Sequence, residues 1–221
     1  MRYGSRNELV VMSSTRCRKE EQWAYWDDAF LDEELETIIK LGDSRPKKYA
    51  VVGTNPGGEY VGSIRHSLVN FMDIDLLVKH VPFILEKLTY ICRMLNSSYF
   101  DFDLSGFHEP FQYTTYDPLN KSDDKEKISL DNYHSEYNWH IDKGPGEDRP
   151  PRKLSMVLSL LDSDEYEGGD FEIKTGVESQ VLPLKKGRVI AFPSWTLHRV
   201  TPVTKGIRKS VVVWVGGPKF K

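Results

Sequence analysis

A histidine and an aspartate stand two positions apart in this chain, at His140 and Asp142. On an extended strand, residues two apart point to the same face, so one imidazole and one carboxylate can meet one metal ion. His198, which opens another expected strand, is the candidate third ligand. Two histidines and one carboxylate form a facial triad. Such a triad leaves coordination positions open and favours non-haem Fe(II), although zinc accepts the same donor atoms.

An arginine follows the third candidate ligand by ten positions. Arg208 opens the run Arg208-Lys209-Ser210, in which Arg208 and Ser210 share one strand face. A guanidinium group with a hydroxyl beside it is suited to binding a carboxylate. Each motif alone is more often structural than functional, but their combination and order predict a metal site with an anion site next to it.

Two segments have the apolar spacing of amphipathic helices. The first is Asp32–Gly42, with Asp32 as a candidate cap and the glycine at its end, and the second is Pro82–Leu95. We expect both helices to brace a sheet.

Short β segments, separated by Gly, Pro and Asp clusters, fill much of the rest of the chain. The expected strands are Lys48–Gly53, Ser63–Phe71, Phe111–Tyr116, Tyr137–Ile141, Leu154–Leu161, Gly169–Ile173, Val181–Pro183, Arg188–Phe192, His198–Val200 and Lys209–Val215. This pattern predicts a sandwich or barrel and argues against alternating βα units.

Length and composition predict one domain over residues 1–221, with a polar leader at 1–22, a support region at 23–100 and a β core at 101–221. The net charge of -3 provides no positive field for nucleic acid. Two distant cysteines suit a reducing compartment, and no segment is apolar enough to span a membrane. We therefore expect a soluble, cytoplasmic protein, whose oligomeric state the sequence does not indicate.

The run from His140 to Trp214 resembles the 2-oxoglutarate/Fe(II) dioxygenase superfamily, and within it the prolyl 4-hydroxylase-like branch with the PKHD-type hydroxylases. The resemblance rests on Trp139-His140-Ile141-Asp142, Lys153-Leu154-Ser155-Met156-Val157-Leu158-Ser159-Leu160, Tyr166-Glu167-Gly168-Gly169-Asp170-Phe171, His198-Arg199-Val200-Thr201-Pro202-Val203 and Gly206-Ile207-Arg208. Collagen-type prolyl hydroxylases are similar but have lysine in place of Arg208, so the anchor resembles the PKHD-type side.

The resemblance implies a mainly β fold with supporting helices, in which a double-stranded β-helix forms a jelly-roll, cupin-like barrel. It implies Fe(II) at the triad, O2, and 2-oxoglutarate as co-substrate bound by Arg208 and Ser210, with ascorbate as a candidate reductant. It also implies a tyrosine that hydrogen-bonds 2-oxoglutarate. Tyr116 matches that position best and Tyr113 second.

The implied reaction hydroxylates a C–H bond while 2-oxoglutarate and O2 become succinate and CO2. Asp142 favours hydroxylation over halogenation, because halogenating relatives lack the carboxylate ligand. The expected substrate is a prolyl or other amino-acid or peptidyl side chain, with a small metabolite as an alternative. Two other interpretations are a non-catalytic metal-binding module on the same barrel and a zinc or cupin-type enzyme that does not use 2-oxoglutarate.

For the remaining conspicuous residues, a structural role is the first expectation. Tyr137 and Trp214 are expected to pack in the core and Arg65 to lie at the surface, with a place in the cavity as the alternative for Arg65 and Tyr137. The other histidines (66, 80, 108 and 134) are expected to bind no metal. The polar segments 117–132 and 143–151 are equally well explained as active-site lids and as surface loops.

Overall fold

The computed structural model describes residues 21–51, 64–119, 135–142, 144 and 149–219. Its elements are β1 (Ala24–Trp26), α1 (Asp32–Asp43), β2 (Lys48–Tyr49), β3 (Arg65–His66), β4 (Leu68–Met72), α2 (Ile74–His80), α3 (Pro82–Leu95), a π-helical turn (Asn96–Phe100), β5 (Gly106–Phe107), β6 (Phe111–Tyr116), β7 (Ser135–His140), β8 (Arg152–Ser159), β9 (Tyr166–Gly168), β10 (Phe171–Lys174), β11 (Ser179–Leu182), β12 (Val189–Pro193), β13 (Leu197–Gly206) and β14 (Arg208–Gly216). No helix within these ranges has both the length and the apolar character that crossing a bilayer requires.

The strands form two antiparallel sheets. The larger sheet has the order β1-β12-β8-β14-β6-β4-β2, with β5 paired to β14. The smaller sheet has the order β11-β10-β13-β7-β3, with β9 paired to β13. From β11 to β14 the chain changes sheet at each step, so residues far apart in sequence become neighbours across the two sheets.

Successive side chains of β8 point alternately into two different apolar cores. Leu154, Met156 and Leu158 join the core that the helices cover, while Val157 faces the smaller sheet. The first core also contains buried residues of α1 and α3 (Leu35, Ile38, Ile84, Leu88, Ile91 and Leu95). The second contains residues from both sheets (Tyr116, Phe171, Ile173, Ile190, Phe192, Val200 and Val203). The helices therefore brace the outer face of the larger sheet, and the two sheets face each other across the second core.

The structure has several of the predicted elements and adds others. Helix α3 and strand β6 have the predicted bounds. The strand predicted at Gly169–Ile173 begins two residues later, as β10, and the short strand β9 precedes it. The sequence analysis did not predict helix α2, because seven residues are too few to show a helical apolar period. Most of the segments 117–132 and 143–151 lies outside the described residues, and the domain division at 22 and 100 stays a prediction.

Two details of α1 differ from the prediction. Asp32 is its first residue and not its cap; the N–H of Leu31 donates to the Glu34 carboxylate at 2.8 Å. Gly42 lies within the last turn, and a Cβ there would be 2.5 Å from two carbon atoms of the Tyr113 ring. Tyr113 is fully buried, so this glycine allows the helix to approach the sheet closely.

We predict that Gly42→Ala lowers the free energy of unfolding by about 1–3 kcal/mol, because the new methyl group overlaps a buried ring that cannot move away. Helix propensity alone predicts the opposite sign, a gain of about 1 kcal/mol. Urea denaturation measures the change. Glu36→Ala, on the exposed face of the same helix, is the control and should stay within about 0.5 kcal/mol of the parent. An alanine variant as stable as the parent would show that the ring can shift.

Candidate metal centre and its cavity

The pairing of β7 with β13 brings the three predicted ligands together. His140 and His198 are direct cross-strand partners, and their ring centroids are 4.1 Å apart. Asp142 follows two residues later, where its N–H donates to the Ser194 carbonyl at 2.9 Å. The Asp142 carboxylate oxygens lie 3.8 Å from His140 Nε2 and 3.6 Å from His198 Nε2. One donor atom from each of the three residues lies within 4.8 Å of the other two, a spacing that can hold a metal ion.

Both histidines are oriented by the same local contact. His140 Nδ1 lies 2.8 Å from the Asn138 carbonyl, and His198 Nδ1 lies 2.9 Å from the Thr196 carbonyl. Because a carbonyl only accepts, each Nδ1 must carry the hydrogen, which leaves the Nε2 lone pair directed towards Asp142. Burial, together with the neighbouring His198, lowers the pKa of His140 well below its ordinary value. His140 is therefore neutral at pH 7 and can bind a cation without first losing a proton.

Two serines fix the carboxylate of Asp142. Ser155 donates to Asp142 Oδ2 at 2.7 Å, and the Ser194 hydroxyl lies 3.0 Å from that of Ser155. Burial alone would raise the pKa of Asp142, but His198, His140 and the Ser155 hydrogen bond outweigh it, so the pKa is lowered and the group is ionised. Sequence reasoning did not identify Ser155 as functional. The available signal was its inward position on β8, among alternating buried aliphatic residues.

Arg152 connects the segment that bears Asp142 to the opposite wall. Its guanidinium group donates to both oxygens of Glu109 at 2.6 and 2.5 Å, and its Nη1 donates to the Asp142 carbonyl at 3.1 Å. The same group lies 3.7 Å from the ring centroid of Trp214. Trp214 is buried, as expected, but it also lines the cavity, and the Trp214 indole contributes to the lowered pKa of Asp142. Sequence reasoning missed the Glu109–Arg152 pair, because nothing in the spacing of the two residues indicates it.

The triad opens onto a cavity of about 470 Å³. Its buried walls include apolar side chains from both sheets (Val157, Phe171, Val200 and Val212). Exposed apolar residues surround its mouth (Val51, Ile64, Phe71 and Ile141). A cavity of this size is typical of sites for small molecules or for one side chain of a larger substrate.

Arg208 lines this cavity with Ser210, on the face of β14 that was predicted. Its side chain is buried, its Nε has no hydrogen-bond partner, and it pairs with no carboxylate among the described residues. A Cβ at Gly169 would approach Arg208 Cδ to 2.9 Å, so the glycine makes room for the arginine. Arg208 is thus a buried cation with free hydrogen-bonding capacity, which favours an anion beside it.

The structure distinguishes the two candidate tyrosines. Tyr116 pairs across the strands with Arg208 and lines the cavity, with the guanidinium group 5.2 Å from its ring centroid. Tyr113 lies on the other face of β6, where its hydroxyl donates to Asp43 at 3.0 Å. Tyr113 is therefore not a cavity residue, because positions three apart on a strand point to opposite faces. Tyr166, which sequence reasoning did not select, also lies beside Arg208; burial raises its pKa, and Arg208 acts in the opposite direction.

Arg65 is a cavity residue, contrary to the first expectation, whereas Tyr137 packs against the second core as expected and also lines the cavity. Arg65 is only 6% exposed, and its Nε donates to the Ser67 hydroxyl at 3.0 Å. Its guanidinium group lies 4.2 Å from the Tyr137 ring centroid, and Tyr137 in turn stacks on His140 at 3.4 Å. Arg65 pairs with no carboxylate in the described ranges. A cation–π contact contributes about 0.5–2 kcal/mol, whereas burying a cation costs several kcal/mol, so the aromatic ring alone does not offset the burial.

The remaining described histidines, His66, His80 and His108, belong to no second cluster of three metal-binding side chains within the described part of the chain. His134 lies outside that part. That these histidines bind no metal stays a prediction.

Residues 128–216 match the sequence model of the 2OG-Fe(II) oxygenase superfamily, and this region contains the triad and Arg208. A PKHD-type hydroxylase of Synechococcus sp. (strain CC9605) is 39% identical over 108 residues, which are 46% of this chain and 48% of that protein. A PKHD-type hydroxylase of Teredinibacter turnerae is 37% identical over 83 residues, which are 36% of this chain and 37% of that protein. The chain spans less than half the length of the curated relatives that it matches.

Solved structures share the fold at low sequence identity. A Pseudomonas putida prolyl-4-hydroxylase superposes with a TM-score of 0.61 at 16% identity, over 90% of this chain and 94% of that one. A Trichoplax adhaerens prolyl hydroxylase, solved with a hypoxia inducible factor peptide fragment, superposes with a TM-score of 0.64 at 14% identity, over 88% and 83%. The predicted double-stranded β-helix is confirmed. Residues 128–216 of this chain are therefore similar to the 2OG-Fe(II) oxygenase superfamily, the chain shares its fold with prolyl hydroxylase structures, and the similar curated proteins are PKHD-type hydroxylases.

Proposed function

We propose that this chain is an Fe(II)- and 2-oxoglutarate-dependent dioxygenase that hydroxylates a C–H bond. One observation carries the proposal: Arg208, a buried guanidinium group that pairs with no carboxylate in the described part of the chain, lies in the same cavity as three converging metal-binding side chains. A metal site alone fits many chemistries. A metal site with a separate anion site fits a co-substrate that chelates the metal at one end and carries a carboxylate at the other.

The donor set fits Fe(II). The Nε2 atoms of His140 and His198 and the carboxylate of Asp142 would hold the metal, leaving its other side open to the cavity. Fe(II) supplies the redox chemistry by which 2-oxoglutarate, O2 and the substrate R–H become succinate, CO2 and R–OH. The chain's own part is to orient the imidazoles through Asn138 and Thr196 and to fix the carboxylate through Ser155.

Arg208 would bind the far carboxylate of 2-oxoglutarate, with the hydroxyls of Ser210 and Tyr116 on the same wall. Charge-assisted hydrogen bonds from a guanidinium group are strong in a cavity that excludes water, and apolar side chains line this wall.

The substrate that we propose is a prolyl or other amino-acid side chain, free or within a peptide. The support is similarity: PKHD-type hydroxylases are among the relatives, and prolyl hydroxylases are among the structures with the same fold. Ascorbate is proposed as a reductant that keeps the iron in the Fe(II) state. The test of the proposal is 2-oxoglutarate-dependent succinate formation with Fe(II) and O2, read with peptide and amino-acid panels for a mass gain of one oxygen. Absence of succinate formation under all these conditions would reject the proposed function.

We predict that His140→Ala, Asp142→Ala and His198→Ala each abolish turnover, because each removes one of three protein ligands. Titration with Co(II), followed by its visible absorption, should show weakened metal binding in all three variants. His80→Ala, an exposed histidine outside the cavity, is the matched control and should bind metal like the parent. Any variant of the three that kept full activity at limiting iron would exclude that residue from the metal site.

We predict that Arg208→Ala raises the half-saturating concentration of 2-oxoglutarate by roughly 10- to 150-fold, since a charge-assisted carboxylate contact contributes about 1.5–3 kcal/mol. Metal affinity should not change. Arg208→Lys should recover part of the loss, because a point charge remains but the two-pronged contact does not. Arg93→Ala, at an exposed position of α3, controls for loss of a positive charge. An unaltered 2-oxoglutarate requirement in Arg208→Ala would assign the anchor to another cation.

A further inference from the structure

The described residues of the cavity carry more positive charge than the proposed co-substrate can neutralise. Among the described residues that line it, the charged side chains are those of Arg65, Glu109, Asp142, Arg152 and Arg208. Glu109 and Arg152 neutralise each other through two hydrogen bonds. A bound metal dication would add two positive charges and 2-oxoglutarate would add two negative ones, so the described lining residues leave one positive charge unmatched.

That charge is located on one of two guanidinium groups. 2-Oxoglutarate has two carboxylates, of which one chelates the metal in the proposed function, and only the other needs an arginine. Arg208 is on β14 of the larger sheet, while Arg65 is on β3 of the smaller sheet and pairs with Tyr137. Arg65 is buried, and although its Nε donates to the Ser67 hydroxyl, no carboxylate in the described ranges pairs with it, so its charge is as unneutralised as that of Arg208.

Arg65 lies close to one of the proposed metal ligands. The Tyr137 ring contacts the Arg65 guanidinium group at 4.2 Å and the His140 imidazole at 3.4 Å. The guanidinium group is thus separated from a metal ligand by one aromatic ring. An anion bound to Arg65 would therefore lie in the same cavity as the metal ligands, where a substrate must also lie to react.

We propose that the substrate carries a carboxylate close to the C–H bond that reacts, and that Arg65 binds it. This inference rests on the proposed function and narrows its substrate class to anionic molecules or segments. The carboxylate can be the terminal group of an amino acid or the side chain of an acidic residue in a peptide. Both sources offer the same planar group, which a guanidinium group binds through two parallel hydrogen bonds.

The test measures binding without turnover, using protein loaded with Mn(II) in place of Fe(II) and saturated with 2-oxoglutarate. The probes are N-acetyl amino acids paired with their carboxamides, and blocked peptides that carry Glu or Gln next to proline. Mn(II) broadens the NMR signals of a probe that binds near it, so the readout reports both affinity and proximity to the metal. We expect at least one carboxylate probe to bind roughly 10- to 100-fold more tightly than its neutral partner. A preference among the N-acetyl pairs indicates a terminal carboxylate, and one among the peptide pairs indicates an acidic side chain.

The variants locate the contact. Arg65→Gln should remove the preference for the charged probe, Arg65→Lys should keep part of it, and Arg93→Gln should leave it unchanged. Binding of 2-oxoglutarate to Arg65→Gln should stay within about twofold of the parent, whereas an anchor for the co-substrate would lose as much as Arg208 does. If Arg65→Gln is too unstable to purify, the comparison of charged and neutral probes on the parent protein still decides whether the site prefers a carboxylate, and Arg65→Lys then locates the contact.

Three results would overturn the inference. These are equal binding of charged and neutral probes in every pair, a preference that survives in Arg65→Gln, and a loss of 2-oxoglutarate binding in Arg65→Gln as large as in Arg208→Ala. Each assumes that 2-oxoglutarate binds the parent protein. Failure of 2-oxoglutarate to bind at all would instead reject the proposed function, so the two failures are distinguishable.

Discussion

The register between β7 and β13 is the constraint on which the site depends. It places His140 directly opposite His198, and it leaves Asp142 just beyond the end of β7, against Ser194. A slip of one residue would turn His198 to the other face of its strand and separate the ligands. The register is supported on the far side of β13 by β10, where Ile173 pairs with His198 inside the second core. The packing of apolar side chains between the sheets therefore stabilises the geometry of the polar site.

Charge burial explains much of the remaining architecture. Asp142 is buried, and hydrogen bonding from Ser155 helps to offset the cost of burying its charge. Arg152 has its donors occupied by Glu109 and by the Asp142 carbonyl, which makes it a structural cation. Arg208 and Arg65 have no carboxylate partner among the described residues. A buried cation without a partner lowers stability, so its retention in a cavity beside a metal site is best understood through the ligands that it binds.

The two faces of β14 have different roles. On the outer face, Lys209 donates to Asp43 at 2.6 Å, and Tyr113 of the neighbouring strand donates to the same carboxylate. These contacts attach α1 to the larger sheet at the level of Arg208, which projects from the inner face. The close approach at Gly42 belongs to the same junction. The helix thus holds in place the strand that carries the proposed anion site, although it contributes no side chain to the cavity.

The sequence by itself determined the local chemistry. The spacing of His140 and Asp142, and of Arg208 and Ser210, fixes which side chains share a strand face, because that depends only on the two-residue period of a strand. Apolar periodicity likewise predicted α3 and β6 with their observed bounds. The resemblance over the C-terminal half supplied the barrel, and the fold comparison confirmed it.

Only the tertiary structure decided which faces turn inward and which distant residues meet. The resemblance offered both Tyr113 and Tyr116 as candidates, and the strand period places them on opposite faces without saying which face borders the cavity. The pairing of β3 with β7 places Arg65 in the site, and the contact with Arg152 places Glu109 there. Such contacts join residues tens of positions apart, and the packing of two sheets across a common core sets them. Local sequence patterns carry no record of that packing, because each pattern extends over only a few residues.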